Sequence, residues 1–225
     1  MWRRQVAASR PPDQELYRPL FEPWRAKLFE SVYQRVAADS LLSRDRAWVL
    51  QTTLRQALNT AGAVYELGVF RGGSAVLLQQ VIQDSDESRP LRLFDTFAGM
   101  PETDPVLDRH MAGDFSDTSE AHVRSLFEGS PNVDIRKGWI PETFTGLEGE
   151  QVCFAHVDLD IYRSILDTCE FLYPRLTSGA VIVFDDYGFP SCPGARQAVD
   201  EFFADKPEAP LVLSSGQAIV HRLPH

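Results

Sequence analysis

The stretch Cys153–Gly188, CFAHVDLDIYRSILDTCEFLYPRLTSGAVIVFDDYG, reads as strand, helix, strand, with both strands ending in carboxylates. The first apolar run, 152–157, stops at Asp158 and Asp160; the second, 180–184, stops at Asp185 and Asp186. Between them, from Tyr162 to Arg175, Ile165, Leu166, Cys169, Leu172 and Tyr173 fall on one helical face. Strands this short and this rich in Val, Ile and Phe belong inside a parallel sheet covered on both faces. If the two are neighbours, a right-handed crossover brings both acidic ends to the same edge. That is the carboxyl edge, where open α/β sheets bind ligands. Carboxylates gathered there repel one another unless a cation or protons neutralise them. An all-oxygen donor set favours a hard divalent ion, and few protein ligands with open positions suit magnesium better than calcium. The plainer reading is that Asp185 and Asp186 only cap and solvate a loop.

Working outward, the chain has 225 residues, 44% of them hydrophobic, enough for one domain with a sizeable core. A net charge of −10 and no Lys/Arg stripe make nucleic acid a poor partner. No apolar run has the length of a membrane span and no signal-type stretch opens the chain, so the expected location is cytoplasmic, without membrane contact. Cys153, Cys169 and Cys192 read as reduced packing residues whose spacing fits no zinc site.

Residues 1–23 are polar and proline-containing and are expected to form an arm. Helical spacing follows over 24–37 (Leu28, Val32, Val36) and 41–60 (Trp48, Leu50, Leu54, Leu58), with Ser43 and Asp45 as N-terminal caps of the second helix. These helices could close over a site, mediate a homo-oligomer or cover a sheet edge. Residues 1–62 are thus an N-terminal arm and helices of the same domain, and 63–225 its core.

The first strand, 63–67, leads into ELGVFRGGS. Gly68 permits a tight turn, and Gly72 and Gly73 a close approach before a helix beginning near Ser74. The spacing is not G-x-G-x-x-G, so a dinucleotide pyrophosphate has less room than that fingerprint provides. Glu66 suits a cationic ligand group. The second strand, 91–94, ends in Asp95, placed to bind a ribose diol. An adenosyl ligand without phosphates and with a cationic centre describes S-adenosylmethionine.

Residues 96–119 have no clear period and read as a lid, a binding loop or a disordered segment. A helix over 120–127, a third strand over 133–136, a short helix over 141–147, a helix over 195–203 and a closing antiparallel pair, 211–213 with 218–221, complete a single α/β domain. His156 reads as a satisfied buried histidine, and His110 and His122 as solvated surface residues. Tyr162 and Tyr187 either wall the site or pack.

Together ELGVFRGGS, FDTFAGMPETD, GDFSDTS, KGWIPETF, HVDLDIYRS, LYPRL and VFDDYG…PGARQAVDEF resemble the macrocin O-methyltransferase family, metal-dependent class I methyltransferases of antibiotic sugars. The resemblance runs from about Tyr65 to Phe203. It implies a Rossmann-like, mostly parallel seven-stranded sheet with helices on both faces and extra N-terminal helices. It also implies S-adenosylmethionine as donor, contacted at Glu66, Gly68, Ser74 and Asp95, and Mg2+ held by Asp158, Asp185 and Asp186. The expected activity is O-methylation of a hydroxyl on a glycosylated natural product, with Asp158 the candidate acceptor of the proton. Two other readings stand beside it. Catechol-type transferases carry a lysine three residues after the first metal Asp, where this chain has Ile161. A non-methylating nucleotide binder would leave the Asp185–Asp186 pair unexplained. The acceptor, its reacting hydroxyl and the oligomeric state are not written in these motifs.

Overall fold

A computed structural model describes residues 22–85 and 88–224; the expected arm over 1–23 lies almost wholly outside the described residues. Helices α1 (Lys27–Val36) and α2 (Arg44–Ala57) come first. Then β1 (Ala63–Leu67), α3 (Gly73–Asp84), β2 (Leu91–Asp95), α4 (Glu120–Leu126) and β3 (Val133–Lys137) alternate. β4 (Val152–Val157), α5 (Tyr162–Leu172), β5 (Leu176–Phe184) and α6 (Pro193–Phe203) follow, and β6 (Leu211–Val212) and β7 (Ala218–His221) close the chain. The short helix expected over 141–147 is a single 3-10 turn, Glu142–Phe144.

All seven strands form one sheet in the order β3-β2-β1-β4-β5-β7-β6. β1 pairs in parallel with β2 and β4, β2 with β3, and β4 with β5; β7 runs antiparallel to β5 and to β6. The chain therefore builds outward from β1 to β3, then returns to build β4 and β5 on the other side of β1. The gap between β1 and β4 is the topological switch point, and the crevice at its carboxyl end is where such a sheet takes ligands.

Alternating strand residues feed two cores. Val64, Leu91, Leu93, Phe154, Val181 and Val183 pack beneath α1 to α4, while Tyr65, Leu67, Ala155, Val157, Ile182 and Phe184 pack beneath α5 and α6. Strand residues buried on both sides are what the unbroken Val/Ile/Phe runs require. α1 buries Phe29, Tyr33 and Val36 rather than the expected Leu28–Val32–Val36 stripe, and Leu28 is 80% exposed. The contact with α3 is close: a Cβ on Gly73 would sit 2.6 Å from the Val36 carbonyl. α2 buries Leu50 and Leu54 as its period predicts. Ser43 is the residue before its first turn, but its hydroxyl bonds the Asp45 carboxylate rather than a backbone N–H.

No described helix is long and apolar enough to cross a membrane.

Candidate active site

The acidic ends of β2, β4 and β5 meet at the switch point, beside the end of β1, because these strands stop in register. A cavity there is lined by Gly68 after β1, Asp95 ending β2, Gly138 to Ile140 after β3, Asp158 and Asp160 after β4, and Asp186 after β5. Gly68 is obligatory: its φ is +88°, and a Cβ there would lie 1.8 Å from the Asp158 carbonyl oxygen. The turn after β1 is thereby pressed against the turn after β4, uniting the two halves of the site.

Asp95 organises the glycine turn. Its Oδ2 accepts from the Val69 and Phe70 N–H groups, both at 2.8 Å, and its Oδ1 from the Phe97 N–H at 2.6 Å. A carboxylate offers about four acceptor sites, so one remains toward the cavity that Asp95 lines. Trp139 and Ile140, which the sequence reading passed over, wall the same end. Their position directly after a strand was the available signal.

Carboxyl oxygens of Asp158, Asp160 and Asp186 lie within 4.8 Å of one another. Asp160 has φ +60°, and its N–H donates to Asp186 Oδ2 at 2.9 Å, which turns its side chain back toward the cluster. Burial pushes the carboxyls of Asp158 and Asp186 well above the ordinary range. Repulsion adds to this, from Asp186 and Asp185 on Asp158, and from Asp160 and Asp185 on Asp186. These are the marks of a cluster short of positive charge.

Asp185 behaves differently. It is fully buried, accepts from Gln217 Nε2 at 2.8 Å and is ion-paired to Arg46 at the start of α2. Burial alone would raise its carboxyl, but His156, Arg46 and Gln217 outweigh that and hold it below the usual range. The expected ligand set named Asp185 and left Asp160 out; in the described conformation Asp160 stands in the cluster and Asp185 faces Arg46. No local signal reveals Arg46, which arrives from 139 residues away in sequence.

Glu66 and Ser74 do not line the cavity. Glu66 is fully buried, with Oε1 3.0 Å from His156 Nδ1 and Oε2 without a hydrogen-bond partner. His156 is fully buried too, and its Nε2 is 3.8 Å from Asp185 Oδ1, an ion-pair distance rather than a hydrogen bond. Burial would lower its pKa, yet the contacts with Asp185 and Glu66 prevail and push it to about 10. It thus lies between two buried carboxylates. His122 is a surface residue near Asp39, as expected. His110 is not: it lines the cavity beside Cys192.

The 96–119 segment is laid over this edge by its own bonds. Asp108 Oδ1 accepts the Tyr162 N–H at 2.9 Å, capping α5 from outside the helix, and Arg71 pairs with Asp117 at 2.5 Å. The Gly113 N–H donates to the Met100 carbonyl at 3.0 Å, and the Met100 N–H to the Asp114 carbonyl at 2.8 Å.

Comparison with known proteins agrees with this architecture. The family model described as Macrocin-O-methyltransferase (TylF) matches residues 31–219. Demethyldecarbamoylnovobiocin O-methyltransferase of Streptomyces niveus is 29% identical over 158 residues, 65% of this chain and 60% of that protein. The 8-demethyl-8-(2,3-dimethoxy-alpha-L-rhamnosyl)-tetracenomycin-C 4'-O-methyltransferase of Streptomyces olivaceus is 32% identical over 154 residues, 63% of this chain and 58% of that one. Both alignments span about 60% of the relatives' own length. The solved structure of the O-methyltransferase NovP superimposes with a TM-score of 0.74 at 26% identity, covering 83% of each chain. The fold is the Rossmann-like class I methyltransferase fold.

Proposed function

The chain belongs to the macrocin O-methyltransferase family, and on that premise we propose that it transfers the methyl group of S-adenosylmethionine to a hydroxyl of a sugar or sugar-like moiety on a natural product, with the help of Mg2+. One observation carries this reading: Asp95, with an acceptor position left over, and the Asp158–Asp160–Asp186 cluster open into the same cavity. The relatives' names support the acceptor class, since one methylates a rhamnosyl tetracenomycin and another acts on a novobiocin precursor.

The residues fit both groups. Asp95 would accept from the ribose diol, beside the Gly68 turn that lines the same cavity. Trp139 and Ile140 offer apolar walls for the base. S-adenosylmethionine supplies an electrophilic methyl on a sulfonium, and the divalent ion lowers the pKa of the hydroxyl that attacks it. Asp158 and Asp186 would hold the ion together, with Asp160 alongside, while Asp185 is engaged by Arg46 and Gln217. The all-oxygen set and its shortage of positive charge suit a hard cation. Asp158, which lines the cavity next to the place of the ion, is the group that takes the hydroxyl proton. Glu66 acts from behind the site by orienting His156, which faces Asp185. The position where catechol-type enzymes place lysine is here the buried Ile161, so no lysine base enters.

Incubating the protein with methyl-labelled S-adenosylmethionine, Mg2+ and a panel of glycosylated natural products should give label on a sugar hydroxyl. Activity should fall with EDTA and return with added magnesium. Undiminished methylation in EDTA by an Asp158→Asn/Asp186→Asn variant would show the ion to be irrelevant. Label on phenols alone would favour the catechol-type reading.

A further inference from the structure

His110, Asp160 and Cys192 come from three separate segments: the 96–119 loop, the turn after β4 and the approach to α6. Cys192 Sγ donates to Asp160 Oδ1 at 3.2 Å. His110 Nε2 lies 3.6 Å from that sulfur and 3.8 Å from that oxygen. The nearest point equidistant from three atoms so spaced is about 2.1 Å from each, so an ion slightly above their plane, toward a fourth ligand, meets zinc–nitrogen, zinc–oxygen and zinc–sulfur bond lengths of about 2.0–2.3 Å. All three residues line the cavity, so a fourth position opens onto it.

We propose that His110, Asp160 and Cys192 form a second cation site, selective for a borderline-soft divalent ion of the zinc class, which shares Asp160 with the all-oxygen cluster and differs from it in donor chemistry. The donor set is imidazole, carboxylate and thiolate, which suits zinc or cobalt and which magnesium avoids. The imidazole is already oriented: its Nδ1 faces Asp114 Oδ2 at 3.3 Å, leaving Nε2 for the ion. Asp114 is itself fixed by accepting the Met111 N–H at 3.0 Å. A carboxylate behind a ligating histidine is the usual outer support of such a ligand. Asp160 is fixed by its N–H bond to Asp186. Without the ion, the Cys192 S–H proton lies between sulfur and carboxylate, on the edge that the ion would bridge. Binding exchanges the S–H proton on that edge for the metal: thiol plus M2+ gives metal thiolate plus H+. The bound ion would tie the 96–119 loop to the segment before α6 across the mouth of the cavity. Donors separated by 32 and 82 residues leave no sequence signature.

Cobalt titration tests the site directly. One equivalent of Co2+ should produce a near-ultraviolet thiolate-to-cobalt charge-transfer band with visible bands of tetrahedral intensity, and release a proton. Zn2+ should displace the cobalt, and excess Mg2+ should not. Cys192→Ser should abolish the charge-transfer band although Cys153 and Cys169 remain, and His110→Gln should weaken Co2+ binding at least about tenfold. Far-ultraviolet circular dichroism of each variant confirms that it is folded. No band in the wild-type protein, a band undiminished in Cys192→Ser, unchanged affinity in His110→Gln or displacement by Mg2+ would each overturn the proposal.

Discussion

Asp186 and Asp95 carry the most exacting residue-scale expectations. Asp158 and Asp186 repel each other and Asp185, so Asp186→Asn should stabilise the metal-free protein by about 1 kcal/mol, read by urea unfolding in EDTA. The same change should cut magnesium-dependent turnover at least about a hundredfold. Asp95→Ala should weaken S-adenosylhomocysteine binding by ten- to a hundredfold, on the order of 1.5–3 kcal/mol for hydrogen bonds to a charged group, while circular dichroism stays unchanged. The acids themselves were legible because apolar strand runs stop abruptly in Asp. Which of them converge was not: the left-handed backbone at Asp160 and the distant Arg46 decide that, and neither has a local sequence signal. His110 was misread as a surface residue for the same reason, since only the path of the 96–119 loop brings it inward.

Elements follow periodicity where one stripe exceeds all others, and need a partner where two compete. On α1 the stripes Leu28–Val32–Val36 and Phe29–Tyr33–Val36 both satisfy helical spacing. The second is buried because Tyr33 donates to the Leu42 carbonyl at 2.6 Å and Phe29 meets Trp48 edge-on at 5.1 Å. The 96–119 loop lacks any period, yet it is fastened to α5 through Asp108. Asp108→Ala should cost about 1 kcal/mol, the usual value of a helix N-cap. It should also speed hydrogen exchange across 96–119 and at the start of α5, with exchange elsewhere unchanged. Ligand-dependent protection of this loop, with adenosylhomocysteine and acceptor together giving more than either alone, would mark it as the cover of the reacting groups. Equal protection with and without them would make it a static wall.

At the scale of the whole molecule, a single α/β domain was legible from alternating strands and helices, whereas the order of the strands in the sheet came only with the structure. The pin at its closing end was not legible either. Glu208, just before β6, accepts from Arg222 Nη1 at 2.8 Å, the Leu223 N–H at 3.1 Å and the Tyr173 hydroxyl at 2.8 Å, joining the end of β7 to the end of α5. Burial would raise its carboxyl, but these donors hold it below its ordinary 4.5. The stability it contributes is therefore fully present above about pH 4.5 and lost as the pH falls through the lower folded value. Glu208→Gln should lose about 3 kcal/mol near neutrality, and its deficit against the wild-type protein should shrink in urea unfolding below that pH. The central claim, that one cavity holds the methyl donor at Asp95 and a hard ion at Asp158 and Asp186, is tested most directly by crossed calorimetry. S-adenosylhomocysteine and Mn2+, as a magnesium surrogate, are titrated into the wild-type protein, Asp95→Ala and Asp158→Asn/Asp186→Asn. The two losses should separate, with nucleoside binding failing only in Asp95→Ala and ion binding only in the double variant. Wild-type protein that binds NAD but not S-adenosylhomocysteine, or a double variant that takes up Mn2+ as the wild type does, would contradict it.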